Sequence, residues 1–232
     1  HYRAVWQCLP PGSFEVVNAG TGTDARQITD LSGAEGIGCV GAAQRQQSQS
    51  RYECLVSNHP IDPSGPVPLI KRLGRINVRL MYSVGKAGWN LRDWNQLYDV
   101  ILCFGPYQRE ALAVVTGAVL VEVGYPRFDA FFELLPRRRE LLEAMGGDPG
   151  KRTVVWLPTW KELSSVGWHD AAVAGLTRDF NVIVKLHPLM SQQEPGKAQA
   201  LRELGLLRVV TDSSDNMPLY VVADWVLCDY GG

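Results

Sequence analysis

The chain has almost no net charge: 23 lysines and arginines face 24 aspartates and glutamates, giving -1 at pH 7 over 232 residues. No segment gathers the basic residues that a nucleic-acid binder uses to neutralise a phosphate backbone, so nucleic acid is not an expected partner. No apolar run approaches the roughly 18 residues needed to cross a bilayer, and the first residues do not read as a secretory leader. Cysteine is scarce. Cys8, Cys39, Cys54, Cys103 and Cys228 are odd in number and widely spaced, mostly within apolar runs, and no C-x-x-C or His/Cys cluster has zinc spacing. The expectation is buried thiols in a reducing, cytoplasmic compartment, with no structural metal and no cofactor. The G-x-G-x-x-G spacing of a dinucleotide loop is also missing, so Gly20 and Gly22 are read as serving a turn. Internal repeats and low-complexity tracts are absent.

What is present is the composition of a globular chain, 46% hydrophobic and 20% charged, long enough for two domains of about 100 residues each. Apolar strands at 52–57, 78–82, 99–104 and 119–123 alternate with helical patterns. A charged amphipathic helix at 131–145 and the glycine-rich stretch 146–150 follow. A second alternating series has strands at 153–157, 182–186, 207–211 and 225–228, with helices at 170–180, 196–204 and 216–223. Strands apolar on both faces, separated by helices, predict parallel sheets. Residues 3–9 read as an additional first strand closed by Pro10 and Pro11. The expected fold is α/β, with two Rossmann-like parallel-sheet domains. The amino-terminal domain covers 1–124, a linker and connecting helix 125–150, and the second domain 151–232. Because the chain begins at His1 and stops within a motif at Gly232, the second domain is read as incomplete at its carboxyl end.

The polar residues gather where strands end, which in open parallel sheets is the edge that binds ligands. N-V-I-V-K-L-H-P delivers His187, W-V-L-C-D-Y-G-G delivers Asp229 with Gly231 and Gly232, and V-V-W-L-P-T-W delivers Thr159. Two glycines let backbone N–H groups approach an anion, although the same pair also suits an ordinary tight turn. On the first domain, Tyr52 to Ser57 ends in Asn58, His59 and Pro60. His59 fits two roles, a turn histidine bonded to nearby backbone or a general base. Lys86, in S-V-G-K-A-G-W-N, is either a phosphate contact or a solvated turn lysine. Lys71, Arg72, Arg75 and Arg79 form a local basic group, either a solvated face or a contact for anionic lipid.

Together V-V-W-L-P-T-W, V-I-V-K-L-H-P, P-L-Y-V-V-A-D-W-V-L-C-D-Y-G-G and G-Y-P-R-F-D resemble the CDP-glycerol glycerophosphotransferase family of teichoic-acid and capsule synthesis, best over residues 124–232. The resemblance implies a GT-B-like arrangement, with the donor nucleotide on the second domain. Asp229, Gly231 and Gly232 would lie in the diphosphate turn, where glycines replace both family serines. His187 matches the family histidine of the K-x-H-P strand, and Thr159 and Arg127 would line the same site. The family's other histidine, in a W-H-G segment, corresponds to Tyr82 here. Tyrosine, with an ordinary pKa of about 10, is a poor base near neutrality, so His59 is the expected substitute.

The implied reaction moves a glycerophosphate, polyol-phosphate or sugar unit from a nucleotide-activated donor such as CDP-glycerol to a hydroxyl on a polymer or lipid-linked acceptor. Its implied setting is the cytoplasm, with peripheral contact at the inner face of the membrane. Catalytic roles fall to His59, His187 and Tyr82, and phosphate contacts to Asp229, Gly231, Gly232, Thr159, Lys86 and Arg127. Two rival readings share the architecture: a nucleotide-sugar 2-epimerase-like isomerase, which needs no acceptor, and a non-catalytic nucleotide-binding protein.

Overall fold

A computed structural model describes residues 3–19, 22–48, 50–60, 67–81, 87–212 and 214–229, with the backbone alone for 3, 4, 22–25, 27 and 31. The chain divides into two compact units, His1–Arg127 and Phe128–Gly232. Each is of the α/β class and built on a parallel sheet.

In the first unit, β1 (Val16–Asn18) and β2 (Cys39–Gly41) form a small parallel pair. The main sheet has the order β3 (Tyr52–Ser57), β4 (Gly74–Leu80), β5 (Val100–Cys103), β6 (Val119–Glu122), with all neighbours parallel. Its core gathers Leu55, Ile70, Leu73, Met81, Tyr98, Ile101 and Leu112. Residues 3–9 are not a strand: Arg3–Trp6 is a helical turn, closed by Cys8 N–H to Val5 O at 3.1 Å and Leu9 N–H to Trp6 O at 3.0 Å. A seven-residue apolar run satisfies either period, and here local hydrogen bonds win. The expected burial of the thiols is also corrected. Only Cys103 is buried; Cys54 and Cys228 are exposed because they lie on strands at the margins of their sheets.

The basic group at 71–79 is not a continuous cationic surface. Lys71 Nζ lies 3.2 Å from Asp99 Oδ1 and Arg75 Nε 3.5 Å from Glu53 Oε2, while Arg79 is fully buried. No helix among the described residues is long and apolar enough to cross a membrane.

The second unit carries β7 (Arg152–Leu157), β8 (Phe180–Lys185), β9 (Arg208–Val210) and β10 (Trp225–Cys228), arranged β10-β7-β8-β9 and all parallel. Its centre is dry: Val155, Ile183, Val184 and Leu201 have no exposed surface. The expected single helix at 131–145 is three pieces, Asp129–Leu134, a 3-10 turn at Leu135–Arg137, and Arg138–Ala144. Pro136 breaks it, since its ring fixes φ and it lacks an amide donor. Arg138 then donates to the Val221 and Val222 carbonyls at 3.1 and 3.0 Å, satisfying the carboxyl end of helix Met217–Val222. Strand β8 ends before Pro188, which opens helix Pro188–Gln193, where its missing N–H costs nothing.

Candidate functional site

The order β10-β7-β8-β9 places successive strands on one side of β7 and then returns to its other side. The switch therefore falls between β7 and β10, and the carboxyl ends of those strands bound the crevice where open α/β sheets hold ligands. Thr159 follows β7 and Asp229 follows β10. They meet directly: Asp229 Oδ2 accepts the Thr159 amide at 2.8 Å and the Ser165 amide at 2.9 Å. A carboxylate with two amide donors is a strong tie, and it fixes both ends of the 159–165 loop. Trp156 adds a further anchor by donating Nε1–H to Ser165 Oγ at 3.0 Å.

That loop carries Trp160, whose ring stacks on His187 with centroids 5.7 Å apart and planes 12° from parallel. Lys161 Nζ sits 4.2 Å from the centroid of the same ring, close enough for a cation–π attraction. The turn is tight enough to hold Lys161 in the left-handed region at φ 59°. His187 Nδ1 accepts the Leu189 amide at 3.2 Å, so in the neutral ring the proton sits on Nε2, which is a donor. The structure thus brings Thr159, Asp229 and His187 to one edge, together with Trp160 and Lys161, which sequence reasoning had not given roles. The P-T-W-K run at a strand end was the available signal.

Lys185, the lysine of the K-x-H-P run, is only 7% exposed. It donates to Asp212 O at 3.1 Å, Ser214 O at 2.7 Å and Ser214 Oγ at 3.0 Å. Burial lowers its pKa, and the Asp212 carboxylate opposes that shift. It therefore secures the turn after β9. Near Trp160, a cavity of about 620 Å³ is lined by residues that include Lys161, Glu162, Trp168, Gln193, Glu194 and Lys197. Two lysines balance two glutamates, and Lys197 is 2.7 Å from Glu194, so these side chains give the cavity no net positive charge with which to hold a phosphate.

On the first unit, His59 follows β3. Its Nδ1 pairs with Asn58 Oδ1, an oxygen that only accepts, which puts the neutral ring's proton on Nδ1 and leaves the Nε2 lone pair as the basic atom. The Trp89 ring lies 6.0 Å away. Partial burial, and then the Arg79 charge, hold the imidazole pKa below its ordinary 6.5, so the neutral form dominates at pH 7. Arg127 is half-buried in the 3-10 turn Pro126–Phe128. Tyr82, Lys86, Gly231 and Gly232 lie outside the described residues.

Parallel sheets with polar groups at their carboxyl edges define a class of α/β proteins that hold ligands there. Within that class, the model of the CDP-glycerol:poly(glycerophosphate) glycerophosphotransferases matches residues 98–232, and the chain belongs to this family. Among solved structures, the chain is similar to the wall teichoic acid polymerase TagF. One structure of TagF is 14% identical with a TM-score of 0.57, over 94% of this chain and 65% of that one. A histidine-to-asparagine variant soaked with CDPG is 15% identical with a TM-score of 0.52, over 77% of this chain and 49% of that one. These likenesses show the fold, the GT-B-like α/β type that the sequence predicts. The chain spans from about half to just under two thirds of the length of these two structures. Comparison with curated proteins gave no match.

Proposed function

We propose that the protein transfers a glycerophosphate or related polyol-phosphate unit from a CDP-glycerol-like donor to a hydroxyl of a polymer or lipid-linked acceptor in teichoic-acid-type synthesis. The observation that carries this reading is the family match over 98–232. The acceptor oxygen attacks the donor's β-phosphate, the P–O–P bond to the nucleotide breaks, and nucleoside monophosphate leaves. The proton of the acceptor hydroxyl passes to a base. His59 takes that role through Nε2, since its ring is neutral at pH 7 and Asn58 fixes its tautomer. His187 donates Nε2–H toward the donor's phosphates, supported by the Trp160 stack and the Leu189 amide. Thr159, Arg127 and Lys86 complete the proposed phosphate contacts, with the backbone amides of Gly231 and Gly232 in place of the family serines. Tyr82, where the family has histidine, is an acceptor-side contact rather than the base.

The test is calorimetric titration of the full chain with CDP, UDP and GDP and their glycerol or sugar conjugates, followed by turnover with a polyol-phosphate acceptor. Selective binding of the cytidine conjugate, weakened by His187→Ala, and turnover abolished by His59→Ala are the expected results. Preference for a uridine sugar that turns over without acceptor would replace this reading with an isomerase. Binding of any nucleotide without turnover would favour a non-catalytic protein, the outcome suggested by glycines at 231 and 232 and tyrosine at 82.

A further inference from the structure

We propose that Arg79 is a positioning residue for His59, holding from beneath both the turn that carries the imidazole and the helix that walls it. Arg79 lies on β4 opposite Ser57 of β3 and is completely buried. A buried guanidinium needs acceptors in fixed directions, and those Arg79 finds are amide oxygens around His59. Its Nε donates to Asn58 O at 3.0 Å. Its Nη1 donates to Asn90 O at 2.8 Å and Asn95 Oδ1 at 2.5 Å, and its Nη2 to Asn90 Oδ1 at 3.1 Å. Its plane covers the Trp94 ring at 4.3 Å.

These bonds bear on both neighbours of His59. Asn58, which fixes the Nδ1 proton, is held by its own carbonyl on Arg79 Nε. Trp89, which packs against the ring, belongs to helix Ala87–Asn90, whose last residue accepts from both Nη groups. Asn95 locks the second element by donating Nδ2–H to Asn90 O at 2.9 Å and Arg92 O at 2.7 Å. Arg79 is also the charged group that bears on the His59 titration. A lysine in its place would keep the charge but lose the planar fork.

The proposal rests on His59 being the base, and its test separates the two claims. Nitrogen-15 and proton NMR of the His59 ring in the full chain reads tautomer and pKa without turnover, and kcat is then measured for Arg79→Lys, Arg79→Gln and His59→Ala. Expected are a folded Arg79→Lys protein whose His59 ring loses its single Nδ1–H tautomer, an upward shift of the His59 pKa in Arg79→Gln, and a kcat about 10- to 100-fold lower in both. Donor affinity should stay near wild type, and Arg79→Lys should cost nothing further in the His59→Ala background. Should Arg79→Gln not fold, Asn95→Ala, which leaves the cation but removes one of its acceptors, must give the same tautomer change. A wild-type His59 ring spectrum in folded Arg79→Lys and Asn95→Ala overturns the positioning role. Full turnover by His59→Ala, with the ring of Arg79→Lys still altered, would overturn only the base assignment.

Discussion

Replacing Asp229 with alanine tests whether the ligand edge of the second unit is assembled by this one carboxylate. Oδ2 receives two amides, Thr159 at 2.8 Å and Ser165 at 2.9 Å. Hydrogen bonds to a charged group contribute about 1.5–3 kcal/mol each, an upper total of about 6 kcal/mol. Both pairs are only partly buried, so water recovers some of this, and the expected loss is about 2–4 kcal/mol. Asp229→Asn keeps an acceptor oxygen without the charge and should cost about 1 kcal/mol. Against a typical domain stability of about 5–15 kcal/mol, the alanine change is large. With a urea slope of about 1–3 kcal/mol per molar, a 3 kcal/mol loss lowers the midpoint by about 1–3 M. The assay is urea unfolding followed by near-ultraviolet dichroism, which also reads the Trp160–His187 stack, with hydrogen exchange at the Thr159 and Ser165 amides. A midpoint within about 0.3 M of wild type, with both amides still protected, would refute the argument.

Four further outcomes follow from other parts of the fold. Partial burial alone would raise the Asp99 pKa, but the Asn77 amide and Lys71 outweigh it and hold the carboxyl below its ordinary 3.8. Its contribution is therefore complete above that value and lost as pH falls through the lower folded value, so Asp99→Asn should flatten the acid limb of a pH–stability curve. At Gly74, an added Cβ would meet Leu55 Cβ at 2.7 Å and Asn77 Oδ1 at 2.8 Å; Gly74→Ala should cost about 1–3 kcal/mol by overpacking in a denaturation experiment. Ile183, with no exposed surface, should lose about 2–5 kcal/mol on truncation to alanine. Val226, 42% exposed on outer strand β10, should lose under about 1 kcal/mol in the same assay.

Which parts of this architecture could be read from sequence depends on whether the deciding neighbour is local. β3 and β10 begin and end where the apolar runs do, because the polar turn residues Asn58–His59–Pro60 and Asp229 follow them directly. Strand β2 was hidden in the glycine-rich stretch 33–43, since three residues carry no period of their own and are strand only because β1 lies beside them. Arg75 and Arg79 share one face of β4 and look equivalent in sequence, yet one is exposed and the other fully buried. Arg79 lies nearer the strand's carboxyl end, where Asn90 and Asn95 fold over it from 11 and 16 residues away.

The same distinction governs the site. His187 was legible because the proline after it marks a strand end, and its tautomer follows from a donor two residues on. Asp229 was placed in the diphosphate turn by the family resemblance, whereas its bond to Thr159, 70 residues away, becomes legible only in the fold. Lys185 likewise resembles an anion ligand until the turn 27–29 residues downstream is seen to take its bonds. Asp229 Oδ2 receives two loop amides, and the buried Lys185 spends its donors on two carbonyls and a hydroxyl. Those bonds settle where the 159–165 loop and the turn after β9 lie. The loop that Asp229 fixes carries Trp160, on which the His187 imidazole stacks, and Lys161, whose ammonium lies over the same ring, so a change at Asp229 reaches both groups.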